Sequence, residues 1–431
     1  MARNTAFPGL NSRCGGVACH PMMRGMDERD RQDGAGRTRE RILVVCTRYV
    51  GDTVLAIPFL RNLRRAHPDA VIDVFAERAA REVLAACPYH DELVPWERSR
   101  RGWFASLAGL RTTAAWLRGR GYARAYLLKR STSVALLARL AGIPRRIGFA
   151  SELGRVLLTK AVPVPRGRHQ VQAYLDQLRA EGVAVDDGRN ENWVPAPVAA
   201  RSASLLADLP ADRPRVLLAV RGTDALRFWR FDRWARLVEW LVHDRGCEIV
   251  LCGAPLDAAA HRRLAAAVGP AVAAHVHDFS RAVSLREAGG LVARMDLCIG
   301  VDTGLVHLAA SFGVPVAVLV GPTDPNQWSP WMTHSAVVRS TRVVRGPLAR
   351  LRSWLRPHGD RHLRWTLGRA SMDDIAVADV IGCVASLLPA RRADPPPVMR
   401  TIDLREGAFN YAVLSRSAAA VPATKPLAHA H

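Results

Sequence analysis

Between residues 41 and 388 the chain alternates short, almost wholly apolar runs with longer stretches whose apolar positions recur every three or four residues. Runs such as Arg41-Ile-Leu-Val-Val-Cys46 suit strands covered on both faces, and the longer stretches suit amphipathic helices. In the first half this pattern predicts strands at 41–46, 70–75, 123–128 and 146–149, and helices at 53–67, 78–86, 107–118 and 133–141. Around 182–213 the periodicity fades into acidic, Pro- and Ala-containing text, so a linker is expected at 186–212. The rhythm resumes with a strand at 215–220, a helix at 232–245, a strand at 247–252, a helix at 257–268 and a last amphipathic helix near 373–388. Such alternation predicts an α/β fold of two wound parallel sheets, spanning 40–185 and 213–372. The flanks, 1–39 and 391–431, lack periodicity and are expected to be disordered.

The densest chemical signal lies between Asp296 and Asp324. An apolar strand runs into Gly300-Val-Asp-Thr-Gly304, then a helix at 305–312, then a second apolar strand at 314–320 closed by Gly321-Pro322. A tight turn opening into a helix concentrates unpaired N–H groups and the positive helix end, which suits an anion and most naturally a phosphate. In a wound sheet that ligand belongs at the carboxyl ends of the strands.

Composition narrows the field. At 431 residues, 49% hydrophobic and 23% charged, the chain is globular and long enough for two to three domains. No apolar window approaches the roughly 20 residues of a spanning helix, and a cytosolic location is expected. Eight cysteines occur without C-x-x-C pairs, which argues against structural zinc or a disulfide framework. The formal charge of +22, from 61 basic and 39 acidic residues, fits either compositional bias toward arginine or an anionic partner. Nucleic acid is not expected, since zinc-finger spacing, aromatic-basic RNP patterns and basic heptads are missing from the sequence. A phosphorylated glycolipid at the inner face of the cytoplasmic membrane would use the same field.

The ordered set Asp302-Thr-Gly304, His307-Leu-Ala-Ala310, Gly313-x-Pro315 and Gly321-Pro-Thr-Asp-Pro325 resembles glycosyltransferase family 9, whose best-known members are lipopolysaccharide heptosyltransferases. Gly51-Asp-Thr53, Ile57-Pro58, His67-Pro-Asp69, the run 137–149 and Arg168-His169 ahead of Tyr174-Leu175 extend the likeness over nearly all of 41–388. The resemblance implies a GT-B fold: an acceptor-binding N-terminal domain and a nucleotide-sugar-binding C-terminal domain, both Rossmann-like, facing across a cleft. It also implies that the last helix, at 373–390, returns to the N-terminal domain. One departure is Cys46-Thr-Arg-Tyr49, where family members carry an arginine and paired small hydroxyls, and this bears on the acceptor.

Glycosyl transfer from a nucleoside diphosphate needs a base near the acceptor oxygen and positive charge on the departing pyrophosphate. By position alone Asp52 suits an N-cap; the resemblance makes it the general base. Arg227, two places before Trp229, matches the family's basic residue for pyrophosphate. Thr303, Gly304 and Leu305 offer backbone N–H groups, Asp302 could accept from sugar or ribose hydroxyls, and His307 lies one turn into the helix. Asp257 is a donor contact by resemblance alone, while Gly51, Thr53, Arg48, Lys129, Arg130, Thr323 and Asp324 are candidate cleft or acceptor residues. The sequence shows no carboxylate cluster with metal-ligand spacing, so metal-independent transfer with no cofactor is expected, and inversion follows if a single base activates the acceptor with no enzyme nucleophile. The donor expected is ADP-heptose and the acceptor the lipopolysaccharide inner core. A hexose donor, or a non-catalytic nucleotide-binding protein of the same fold, are the alternatives.

Overall fold

The computed structural model describes residues 39–96, 107–150, 154–164, 167–222, 227–321, 323–340, 343–345, 368–370 and 372–388. The first sheet holds β1 (Arg41–Val45), β2 (Val71–Ala76), β3 (Glu92–Pro95), β4 (Arg124–Leu127), β5 (Arg145–Phe149) and β6 (Lys160–Val162). Around it run α1 (Val50–Val54), α2 (Ile57–Ala66), α3 (Arg78–Leu84), α4 (Leu107–Gly119), α5 (Thr132–Leu140) and α6 (Gln170–Arg179). After α7 (Ala196–Leu205) the second sheet follows, with β7 (Arg215–Ala219), β8 (Glu248–Leu251), β9 (Val276–Asp278), β10 (Leu297–Val301), β11 (Val316–Val320) and β12 (Ser335–Arg339). Its helices are α8 (Phe231–His243), α9 (Ala258–Ala267), α10 (Pro270–Ala273), α11 (Leu285–Val292), α12 (Gly304–Ser311), α13 (Pro325–Trp328) and α14 (Val377–Leu387). A short antiparallel pair, β13 (Val343–Arg345) and β14 (Gly368–Ala370), stands apart.

The two sheets repeat one topology. Their strand orders are β3-β2-β1-β4-β5-β6 and β12-β11-β10-β7-β8-β9, so each winds outward from a central pair. Every described pairing within them is parallel. Parallel strands need cover on both faces, and β1, β2, β7, β8, β10 and β11 are buried along their whole length. Both sheets lie in one compact unit that begins at Glu40.

Three expectations change. The single helix expected at 53–67 is two, because Pro58 has no N–H to continue the ladder and begins a new helix near its first turn. The segment expected as a linker carries α7 and is pinned rather than loose. Buried Arg61 on α2 donates to the Arg189 carbonyl at 2.8 Å and pairs with Asp187 at 2.9 Å, while Asn62 donates to the Asp187 carbonyl at 2.6 Å. The last helix does not return to the first sheet: α14 buries Val380 and Val384 in the second core with Trp229, Trp234 and Leu237. Trp229 and Arg233 clamp the carbonyl of Ile375 at 3.0 and 2.7 Å, fixing α14 there. The expected disordered ends lie outside the described residues.

A different segment reaches across. Trp328, at the end of α13, and Trp331 pack against the core of the first sheet. The Trp331 indole donates to the Gly188 carbonyl at 2.7 Å and its ring stacks on His169 at 4.3 Å.

Candidate active site

In each sheet the central pair, β1 with β4 and β7 with β10, is the point where the winding reverses, leaving a crevice at the carboxyl ends of the strands. Four connections leave these ends, and all four carry candidate residues; Lys129 and Arg130 follow β4. α1 follows β1 and holds Asp52; Arg227 follows β7; Asp302, Thr303 and α12 follow β10.

The two domains meet where α1 touches α12. A Cβ on Gly304 would lie 2.6 Å from the Val50 Cβ, and one on Gly51 would lie 2.7 Å from the His307 ring. Both glycines are therefore required by the approach of two helices. The Gly304 turn, expected as a phosphate cradle, has its glycine against α1, and its Leu305 amide is already capped by the Thr303 hydroxyl at 3.2 Å.

Asp52 is not an N-cap. Tyr49 occupies that position, and the carboxylate of Asp52, in the first turn of α1, accepts from the Tyr174 hydroxyl at 3.3 Å. Loss of hydration lifts Asp52 to about 6, with the Asp302 carboxylate adding to the rise; His307, Tyr174 and Arg130 oppose it. Asp302 is pushed the other way. Its burial would raise it, yet hydrogen bonding from His307 and the charge of Arg227 outweigh that and hold it below the usual carboxylate range. Its carboxylate lies 3.3 Å from Arg227 Nη1 and 3.5 Å from His307 Nε2, and its carbonyl accepts from Arg227 at 2.7 Å. The two neighbouring carboxylates are thus pushed apart, Asp52 up and Asp302 down.

Arg227 and His307 also each bury a nitrogen, Nε and Nδ1, with no hydrogen-bond partner among the described residues. Buried polar atoms are rarely left so, and a ligand entering here would satisfy both. Thr323 is buried nearby and Asp324 caps α13 by accepting from the Asn326 amide at 3.0 Å. Asp257 is committed to the turn before α9, accepting from the Ala254 amide at 2.9 Å and pairing with Arg221 at 3.2 Å.

The remaining candidates ring the first-sheet end. Arg130 lies over Phe149 at 5.0 Å, close enough to favour the ionised form of Asp52, and Lys129 pairs with Glu77 at 4.0 Å beside Trp96. Arg48 is exposed and stacks over the Tyr49 ring at 4.6 Å, while Thr53 turns inward to the Tyr49 carbonyl at 2.9 Å. Cys46, directly after β1, is a buried thiol pushed up to about 11 by desolvation, and the described cysteines are all free. Sequence reasoning missed Tyr174 and Arg221. Tyr174 lies in a recognised motif, but nothing in the chain says that its hydroxyl meets a residue 122 positions away.

Two Rossmann-like domains meeting across α1 and α12, with titratable groups gathered at both winding reversals, make up a GT-B fold. The family model of glycosyltransferase family 9 (heptosyltransferase) matches residues 111–348, and the chain belongs to that family. It is 28% identical over 317 residues to lipopolysaccharide heptosyltransferase 2 of Escherichia coli (strain K12), covering 71% of this chain and 89% of that one. The solved structure of E. coli ADP-heptose lps heptosyltransferase II overlays with a TM-score of 0.64 at 24% identity, over 80% of this chain and 98% of that one. The family 9 glycosyl transferase from Veillonella parvula DSM 2008 gives 0.66 at 20% identity, over 81% and 97%.

Proposed function

We propose that this protein transfers heptose from ADP-heptose to the lipopolysaccharide inner core with inversion, using Asp52 as general base. The observation that carries the reading is Asp52 itself: a carboxylate lifted to about 6, partly exposed, on the first-sheet helix that meets the second-sheet donor loop. The relatives' names, lipopolysaccharide heptosyltransferase and ADP-heptose lps heptosyltransferase, support the choice of sugar and acceptor.

In this mechanism Asp52 takes the proton of an acceptor hydroxyl as that oxygen attacks the anomeric carbon. The new C–O bond forms opposite the bond to ADP, which breaks and leaves its electron pair on the β-phosphate. A single displacement without an enzyme nucleophile inverts the centre. Arg227, through its unpartnered Nε, meets the growing charge of the leaving group, with His307 on the same Asp302 carboxylate. Asp302 keeps both in place. Transfer is proposed to need no metal, as expected from the lack of a carboxylate cluster with metal-ligand spacing in the sequence. No described helix is long and apolar enough to cross a membrane; the enzyme is proposed to work as a peripheral protein at the inner leaflet, drawn by its charge of +22.

The test is transfer by the purified protein from ADP-heptose to a heptose-deficient lipopolysaccharide, read by mass spectrometry, with the anomeric configuration assigned by NMR. Turnover with a hexose nucleotide alone would replace the donor. Tight nucleotide binding without transfer would leave a non-catalytic protein, and activity lost to chelator and restored by magnesium would end the metal-free mechanism.

A further inference from the structure

Tyr174 lies on α6 with 0% of its surface exposed, and its hydroxyl donates to Asp52 Oδ1 at 3.3 Å. A buried phenol needs a polar partner, and this one has taken the candidate base. The ring is fixed in the first core, with Phe149 tilted against it at 6.0 Å. Substrate cannot touch a residue so enclosed, so any influence on transfer must run through the carboxylate.

We infer that Tyr174 is a positioning residue for Asp52, holding Oδ1 so that Oδ2 is the oxygen presented to the acceptor hydroxyl. This rests on the reading of Asp52 as the base. A second set of contacts ties the same helix to the donor domain. Gln170, in the first turn of α6, lies within hydrogen-bond reach of Tyr174, and its Oε1 accepts from Gln327 Nε2 on α13 at 3.2 Å. His169, the N-cap of α6, has its Nε2 3.0 Å from the Ser329 carbonyl and its ring on Trp331. The segment making these contacts begins at Thr323 and Asp324, directly after β11. The hydroxyl that orients the base is thus carried by a helix whose first turn is gripped by the donor domain.

Tyr174→Phe keeps the ring and removes only the hydroxyl. The phenol donates to the ionised carboxylate, so its loss should raise the ascending limb of kcat against pH by about half to one pH unit. On the plateau kcat should fall about tenfold from misorientation, with the Kd for ADP unchanged by calorimetry. A tyrosine with only a packing role would lower Tm without moving the limb. If the variant does not fold, Gln170→Met, which removes the amide that steadies the phenol, should move the same limb in the same direction by a smaller amount. Parent-like kcat and limb in the folded variants, alongside an inactive Asp52→Asn, would overturn the inference and leave the base assignment standing. An active Asp52→Asn would overturn the base assignment, and this inference with it.

Discussion

At the residue scale the informative contrast is between Asp52 and Asp302, two aspartates on first turns of chain after a strand whose environments move them in opposite directions. A base lifted to about 6 predicts that kcat rises through an ascending limb near pH 6 and is flat above it, since only the ionised form accepts a proton. Asp52→Asn should lower turnover about a hundredfold to ten-thousandfold while leaving ADP affinity nearly unchanged, as measured by steady-state kinetics and calorimetry. The same substitution should alter stability. Because the folded state holds the proton of Asp52 more tightly than the unfolded chain, ionisation costs stability; the cost is absent below about pH 4, grows between about 4 and 6, and is constant above. Asp52→Asn should therefore stabilise the protein by about 1–2 kcal/mol at pH 7.5, after allowance for partial exposure, and by almost nothing at pH 4. Denaturant titrations at the two pH values decide it, and equal stabilisation at both would mean that burial does not perturb this carboxylate. Position and motif made Asp52 legible in the sequence, but not its partner. A capping aspartate and a base look alike in one dimension, and Tyr49 at the N-cap, with Tyr174 on the Asp52 carboxylate, rules out the cap.

At the element scale the site is a contact between two helix beginnings, and its tolerance is set by Gly304 and Gly51. A methyl group on Gly304 meets the Cβ of Val50, an atom fixed to the backbone, so α1 and α12 would have to part by several tenths of an ångström. Gly304→Ala should cost about 1–3 kcal/mol of stability and more than tenfold in kcat/KM, because groups on the two helices act on one transition state. Val50→Gly in the same chain removes the opposing Cβ and should recover part of both losses, a coupling that a double-mutant cycle would read. A fully active, equally stable Gly304→Ala would show that the helices do not hold this spacing during turnover. The interior strands were legible because burial on both faces leaves an unbroken apolar run, as in β1 and β10. Edge strands β3, β6, β9 and β12 carry exposed or half-buried polar positions and blend into loops. The apolar stripe of α14 announces that it must be buried, yet a stripe does not name the sheet that buries it.

At the scale of the whole molecule, the charge of +22 admits two origins for nucleotide affinity: a diffuse positive field or a built site. Several arginines are paired within the fold, as in Arg41 with Asp73 at 2.5 Å, Arg120 with Glu92 at 2.5 Å and Arg145 with Glu181 at 2.6 Å, though such one-to-one pairs leave the net charge as it stands. Surface charges beyond a Debye length of about 8 Å act weakly at physiological salt. Arg227 differs from those pairs because its Nε is buried and unpartnered while Nη1 is anchored on Asp302. Arg227→Ala should weaken ADP binding by about 1.5–3 kcal/mol, the range for a hydrogen bond to a charged group. Turnover should fall further than binding if charge builds on the leaving phosphate in the transition state. Arg262, exposed on α9, is the control: reversing it to Glu changes the net charge by twice as much yet should leave ADP affinity within a few tenths of a kcal/mol. Calorimetry at two salt concentrations separates the cases. A specific site gives a large loss for Arg227→Ala that persists at high salt, whereas equal losses for both variants, fading together as salt rises, would mean that the nucleotide is held by bulk charge and that no phosphate site is built around Arg227.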